Sequence, residues 1–425
     1  MQIVPVRHPL HASVRVPGSK SLTNRALLIA SLASGTTRLV NALFSDDSRY
    51  FANALQTLGF DIRLDESKSE MTVSGRGGII PAARADLFIG NAGTAARFLS
   101  AFLTLGHGEY ILDGEPRMRE RPMADLVDAL TQLGADVTST GGFPPLAIRA
   151  SGLTGGRARL AGDISSQFLS ALLMVAPYAK SPVEIRLTTD LNSKPYADMT
   201  LAIMQDFGVT VQRDGYSSFA VPITNYQLPT SLSPSTYAIE SDASAASYFF
   251  AAPAICGGTV RVENISRQSK QGDLAFLDVL TQMGCEVTEG ENFIEVTGAD
   301  SLSGLDVDMR DIPDTAQTLA VIAPFAGSPT RIRGIASARV KETDRVRATC
   351  NELTRLGVRV TEHEDGMTIY PCEKFVPAPV QTYNDHRMAM AFSLIGLRVD
   401  GVAIENPSCV SKTFPNYFEV LEQLR

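Results

Sequence analysis

The chain has 425 residues, with 38 Lys and Arg against 46 Asp and Glu and a formal charge of −8. No global positive field therefore draws it to nucleic acid or to an anionic membrane, and any anion it binds must be held locally. Length, 44% hydrophobic content and 20% charged content fit a globular protein of two or three domains with sizeable cores.

The five cysteines, Cys256, Cys285, Cys350, Cys372 and Cys409, are widely spaced and form no C-x-x-C pair. They read as reduced thiols, with neither a disulfide framework nor a zinc site. No apolar run approaches the roughly 20 residues of a spanning helix and no signal-peptide core is present, so the expectation is a cytoplasmic protein.

In chain order, the first marked element follows Pro17 and Gly18, which punctuate the backbone. Apolar residues at Leu22, Ala26, Leu27, Ile29 and Ala30 predict an amphipathic helix over 20–34. Lys20 and Ser21 stand at its N-terminus, where free N–H groups and the macrodipole favour negative charge, and Arg25 follows about one turn on. An ordinary cap with solvated cations reads as well here as an anion site.

The segment Gly90 to Arg97 follows an apolar strand, Leu87-Phe88-Ile89, and opens a helix. It matches neither the P-loop nor the dinucleotide pattern, which disfavours nucleotide binding. Gly93 either lets the backbone approach a ligand or serves the turn alone. Arg117-Met118-Arg119-Glu120-Arg121 sets three guanidinium groups in one loop, able to grip carboxylate or phosphate through paired bonds or simply to lie solvated. Ser165-Ser166-Gln167 starts another apolar helix and alone is a good cap. From Pro222 to Ser235 the periodicity is lost, which marks a domain boundary near residue 237.

The later half repeats the theme. Asp311 to Thr315, Lys341 to Arg345 and Asn384 to Arg387 each begin a helix, and Lys412 precedes the last one, Phe414 to Leu424. Surface ion pairing accounts equally for Lys341, Glu342 and Arg345, and His386 by itself reads as structural. Taken together, at least six helix starts carry cations or small polar groups, with the acids Asp314 and Glu342 among them. Such a set suits polyanionic substrates and supplies general acids and bases.

A repeat runs beneath these motifs. Five times an apolar-periodic helix ends in Gly and passes into a β-branched strand, at Gly59, Gly134, Gly208, Gly284 and Gly357, at spacings of 73 to 76 residues. Each glycine occupies the helix C-cap region, where the left-handed conformation is needed. Near-equal spacing over five copies points to a repeat architecture, six α/β units divided three and three.

Pro17 to Arg25, Gly90 to Arg97, Glu115 to Pro122, Ser165 to Phe168, Lys341 to Arg345 and Asn384 to Arg387 closely resemble the motif set of the 5-enolpyruvylshikimate-3-phosphate synthase family, over essentially the whole chain. The resemblance implies a two-domain inside-out α/β barrel of six βαβαββ units. One domain would comprise residues 1–18 plus 238–425 and the other 19–237, with the active site in the cleft between them.

It also implies transfer of the enolpyruvyl group of phosphoenolpyruvate to the 5-hydroxyl of shikimate 3-phosphate in aromatic amino-acid biosynthesis. The agent would be a monomer with no cofactor and no metal, and a target of glyphosate. Carried over by motif, shikimate 3-phosphate falls to Lys20, Ser21, Arg25, Ser165, Ser166, Gln167, Ser193, Tyr196, Asp314 and Lys341. Phosphoenolpyruvate falls to Lys20, Asn91, Gly93, Arg121, Gln167, Arg345, His386, Arg387 and Lys412. Catalysis falls to Asp314, Lys20, Glu342 and His386.

Two positions depart from the family pattern: Ser337, where many relatives have Asn, and Phe98, where many have Pro. The related UDP-N-acetylglucosamine enolpyruvyl transferases usually carry Cys in the loop matching Glu115 to Pro122, which here has none.

Overall fold

The computed structural model describes residues 1–229 and 234–425; residues 230–233, inside the expected aperiodic stretch, lie outside them. The chain forms two compact units, a contiguous one, Gly18–Ile239, and a split one, Met1–Pro17 with Glu240–Arg425. Each has its own apolar core. The boundaries expected at 18 and 237 thus move by one or two residues. The reason is local: the strand Ser235–Ala238 lies parallel to Ser34–Val40 with Ala238 opposite Val40, and Asn41 Nδ2 donates to the Ile239 carbonyl at 2.9 Å.

Twelve helices are formed among the described residues: α1 Lys20–Leu32, α2 Asp46–Thr57, α3 Gly93–Leu103, α4 Ala124–Gln132, α5 Ser166–Val175, α6 Lys194–Asp206, α7 Ala243–Cys256, α8 Phe276–Met283, α9 Ala316–Ile322, α10 Arg345–Arg355, α11 His386–Gly396 and α12 Tyr417–Glu422. They alternate with strands in a recurring pattern. In the copy built on Arg84–Phe88, His107–Asp113, Asp136–Thr140 and Phe143–Ser151, the first two strands pair in parallel. The second pairs antiparallel with the fourth, and the last two make a hairpin. With α3 and α4 in the two crossovers this is a βαβαββ unit, and five four-stranded sheets share its strand order. A sixth sheet has two strands, Pro379–Val380 and Ala403–Ile404, plus a bridge from Gln2 to Ala403.

In two copies the first strand is exchanged. Leu10–Arg15, which precedes α1, pairs with Gly258–Glu263 of the split unit. Ser235–Ala238, which precedes α7, pairs with Ser34–Val40 of the contiguous unit.

The helices divide by burial, and the division is written in composition. α2, α4, α6, α8 and α10 carry one apolar stripe and end at the five repeat glycines, which all take positive φ, from 80° to 110°. α1, α3, α5, α7, α9 and α11 are instead buried almost all round, as helices apolar on every face must be. Their Ala and Ser residues let neighbours approach closely. The helix expected over 20–34 belongs to this second class: Leu22 to Leu32 are all buried. It ends at Leu32 because Ser34–Val40 enters a sheet. The last helix is shorter than expected, Tyr417–Glu422, with a 3-10 turn over Pro407–Lys412 before it. Apart from Cys256 at the far end of α7, what escapes burial on these inner helices lies in the first turn: Lys20 and Ser21 on α1, Gln167 on α5 and Ser244 on α7.

Candidate functional site

In the contiguous unit the site grows from the start of α1. Ser19 caps the helix, its side chain accepting from the Leu22 N–H. Lys20 Nζ then reaches Asp47 Oδ2 at 3.4 Å, on the first turn of α2. One turn on, Arg25 is 1% exposed. It donates from Nε to Thr200 Oγ1 at 2.8 Å, from Nη1 to the Ser21 carbonyl at 2.9 Å, and from Nη2 to Ser170 Oγ and the Tyr196 carbonyl at 3.3 and 3.2 Å. Its guanidinium carbon lies 5.2 Å from the centroid of the Phe98 ring. Every acceptor is neutral, and no carboxylate among the described residues pairs with it. Burial pulls the guanidinium down to about 10, which leaves it charged at neutral pH. A buried cation held only by neutral groups is a costly arrangement that an anion would complete.

The three guanidinium groups of the arginine loop separate. Arg117 pairs with Glu120 and Arg119 with Asp113 near the surface, so for these two the solvated reading is correct. Arg121 is buried, and its Nη1 donates to the Asn91 carbonyl and Oδ1 at 3.0 and 3.1 Å. The choice left open at Gly93 is resolved by the same group. The turn is made by Gly90, at φ 55°, whereas a Cβ on Gly93 would lie 2.3 Å from Arg121 Nη2. Gly93 is therefore small to admit a guanidinium.

Three further starts join them. Ser165 caps α5 by accepting from Gln167 N–H at 3.3 Å, with Ser166 buried beside it, and Gln167 Nε2 donates to Thr94 Oγ1 on α3 at 3.3 Å. Ser193, at φ 57°, precedes α6 and accepts from Tyr196 N–H at 3.0 Å. The Tyr196 carbonyl then receives both Arg25 and Thr200.

In the split unit the cations are matched by acids. Asp314 lies on a 3-10 turn, Pro313–Thr315, before α9. Its Oδ1 accepts from Arg345 Nη1 at 3.1 Å and its Oδ2 from Arg387 Nη2 at 2.6 Å. Arg345 is 2% exposed and also donates to Asp385 Oδ2 and Glu342 Oε2, both at 2.7 Å. Burial alone would lower its pKa, but the charges of Asp385, Glu342 and Asp314 outweigh that and hold it above the usual value. Lys412 Nζ stands 3.9 Å from Glu342 Oε1. His386 is buried, its Nδ1 3.5 Å from Asp385 Oδ1, and Arg387 Nη1 donates to Tyr248 OH at 3.4 Å. α10 begins only at Arg345, capped by Asp344, so Lys341 and Glu342 sit in the preceding loop, Lys341 half-buried.

Lys20, Arg25, Asn91, Gly93, Arg121, Gln167 and Tyr196 thus lie in the contiguous unit, and Asp314, Glu342, Arg345, His386, Arg387 and Lys412 in the split one. Sequence reasoning passed over Asp47, Thr200, Ser170, Tyr248 and Asp385. A first-turn acid such as Asp47 carries no signal beyond complementing the macrodipole, and Thr200 and Ser170 lie within helices, where a hydroxyl marks nothing. Asp385 did carry a signal, since it stands at the N-cap directly before His386. Of the two departures, Phe98 lies fully buried under Arg25, and Ser337 lies half-buried in the 3-10 turn Ala336–Val340. Burial raises the thiols of Cys256 and Cys350 to about 12 and Cys409 to about 11, which makes them poor nucleophiles. Among the described residues no three His, Cys, Asp or Glu side chains converge as metal ligands would, and no helix is long and apolar enough to cross a membrane.

Repeated βαβαββ units whose helix starts and adjoining loops carry guanidinium, ammonium and carboxylate groups define a protein of the α/β class. The model of the EPSP synthase (3-phosphoshikimate 1-carboxyvinyltransferase) family matches residues 4–421. A 3-phosphoshikimate 1-carboxyvinyltransferase of Trichormus variabilis is 51% identical over 416 residues, covering 97% of this chain and 96% of the relative. One of Shewanella denitrificans is 51% identical over 419 residues, covering 98% and 96%. The solved structure of EPSP synthase from Acinetobacter baumannii aligns with a TM-score of 0.81 at 26% identity, over 100% of this chain and 97% of that one. The chain belongs to the EPSP synthase family, transferases of the shikimate pathway that are the target of glyphosate.

Proposed function

We propose that this enzyme transfers the enolpyruvyl group of phosphoenolpyruvate to the 5-hydroxyl of shikimate 3-phosphate and releases phosphate, by addition and elimination through a tetrahedral intermediate. The observation that carries this reading is Arg25. A buried guanidinium ringed by hydroxyls and carbonyls lacks only an anionic oxygen, and a sugar-like phosphate ester supplies it. Ser21, Ser165, Ser166, Gln167, Ser193, Tyr196 and Lys341 complete the hold on shikimate 3-phosphate. Arg121 with Asn91 and Gly93, and Arg345, Arg387, His386 and Lys412, hold phosphoenolpyruvate, while Lys20 serves both. We infer further that the three sheets of each unit enclose their buried helices as an inside-out α/β barrel, which the all-round burial of those helices supports.

In the addition step Asp314 accepts the proton of the 5-hydroxyl as its oxygen attacks C2, and C3 gains a proton to become a methyl group. In the elimination the methyl gives up a proton as phosphate leaves. Lys20 and Glu342 handle the C3 and phosphate-side protons. The four anionic groups of the two substrates repel one another, and fixed cations offset that repulsion without reorganising during the reaction.

Mixing the purified protein with both substrates should release phosphate in step with formation of the enolpyruvyl ether. Silence with both ligands bound would reduce the protein to an anion-binding module on this scaffold. Two variants sharpen the test. Arg25→Met should weaken shikimate 3-phosphate binding by roughly 10- to 100-fold, the order expected from losing one charge-assisted bond at ~1.5–3 kcal/mol. The ligand-free protein should melt no lower, because Thr200 still bonds Ser170 and Tyr196 and a desolvated charge is gone. Parallel calorimetry and thermal melts read both signs.

Gly93→Ala should drive the Arg121 guanidinium off Asn91 and raise KM for phosphoenolpyruvate by roughly tenfold or more, one charged hydrogen bond's worth. KM for shikimate 3-phosphate should change far less. Equal losses for both substrates would show that Arg121 does not serve phosphoenolpyruvate alone.

A further inference from the structure

A guanidinium has five N–H groups, and four of those on Arg25 are engaged inside the contiguous unit. Nε donates to Thr200 Oγ1, Nη1 to the Ser21 carbonyl, and Nη2 to Ser170 Oγ and the Tyr196 carbonyl. One N–H, on Nη1, is left for an anion. The N–H groups of a planar guanidinium lie in its own plane, so bonds to them hold it against sliding better than against tilting. The remaining contact is of another kind. The guanidinium carbon lies over the ring of Phe98 on α3, 5.2 Å from the centroid, within the roughly 6 Å over which a cation–π contact acts. Phe98 is fully buried and is itself backed by Phe51 on α2, with the centroids 6.5 Å apart and the planes at 58°.

We propose that Phe98 is a positioning residue for shikimate 3-phosphate: its ring holds the Arg25 guanidinium by a cation–π contact in the orientation that offers the free Nη1 N–H to the phosphate. This rests on the reading of Arg25 as the group that holds the phosphate. The four acceptors are neutral dipoles, and the negative face of the ring adds to a set that holds no full negative charge. Away from water such a contact is stronger than on a surface. Proline at this position, the pattern from which this chain departs, offers no such face.

An aliphatic side chain in place of the ring fills the space between α1, α2 and α3 but leaves Arg25 to sample other orientations. Affinity then falls in proportion to the fraction of molecules in the competent one.

The test is titration calorimetry of the full-length enzyme with shikimate 3-phosphate, beside steady-state KM for phosphoenolpyruvate. Phe98→Leu should weaken shikimate 3-phosphate binding by about 3- to 10-fold and move KM for phosphoenolpyruvate by less than about twofold. An unchanged affinity for shikimate 3-phosphate overturns the proposal. So does an equal loss for both substrates, which marks a shift of α3 as a whole. Exchanging the ring for its pentafluoro analogue keeps the shape and reverses the charge on the face, so affinity should fall again. An analogue that binds as tightly as the natural ring reduces Phe98 to core packing. Because the analogue preserves that packing, it carries the test if Phe98→Leu does not fold.

The same measurements on Arg25→Met separate Phe98 from Arg25. If Arg25→Met binds shikimate 3-phosphate as before, Arg25 does not hold the phosphate and the proposal falls with it. If Arg25→Met binds more weakly, adding Phe98→Leu should cost nothing further, as for two groups acting through one contact. A full additional loss there shows Phe98 acting by another route and overturns its role alone.

Discussion

Replacing Asp385 by alanine should cost the protein about 2–3 kcal/mol, the order of one lost charge-assisted bond to a buried cation together with a lost helix cap. Its side chain is fully buried and does three things at once. It accepts Nε and Nη2 of Arg345 at 2.7 and 3.3 Å, it caps α11 through the Arg387 N–H at 2.9 Å, and it stands against His386. Alanine removes the acceptor but leaves Arg345 buried, with Glu342 and Asp314 as its remaining acids. Asparagine keeps the cap oxygen and should recover part of the loss, about 1 kcal/mol, a typical cap value. Urea unfolding of both variants checks this. A midpoint for Asp385→Ala close to that of the unaltered protein would mean that Glu342 and Asp314 suffice to hold Arg345.

Asp314→Asn should lower kcat by roughly 10²- to 10⁴-fold, the usual contribution of a general base, while both substrates still bind. The binding half follows from charge: Arg345 and Arg387 spend part of their fields on Asp314, and neutralising it frees them for anionic ligands. Affinity should therefore hold or improve as turnover collapses. Steady-state kinetics with titration calorimetry separates the two. Near-normal turnover would remove Asp314 from its role, whereas a parallel loss of affinity and turnover would make it a scaffold for the two guanidinium groups.

The repeat was legible because its physics is local. A glycine at positive φ after each outer helix, at Gly59 and its four counterparts, is a demand of the helix end itself and recurs wherever that end recurs. The first-turn cations were legible for the same reason. What the chain hid depends on partners far away in sequence. Nothing near Arg25 says that its ring of acceptors will be Ser170, Tyr196 and Thr200, or that no acid joins them. Nothing in Arg117-Met118-Arg119-Glu120-Arg121 says that the last guanidinium alone turns inward against Gly93. The part of Phe98 is hidden more deeply still, since an aromatic side chain in an apolar helix reads as core until Arg25 is seen over it.

The exchanged strands have a consequence for how the chain is made. Leu10–Arg15 leaves the ribosome well before the strand it pairs with, Gly258–Glu263, which is synthesised more than 240 residues later. The contiguous unit closes sooner, as soon as Ser235–Ala238 emerges to meet Ser34–Val40. At roughly 5–20 residues per second the N-terminal strand waits ten seconds or more with an unpaired edge, which is a template for wrong pairing. Joining residues 1–17 to the C-terminal end and starting the chain at Gly18 would bring Leu10–Arg15 out only after the strand it pairs with has been made, so that strand no longer waits unpaired. Such a permuted chain should give fewer aggregates during synthesis while reaching the same native fold.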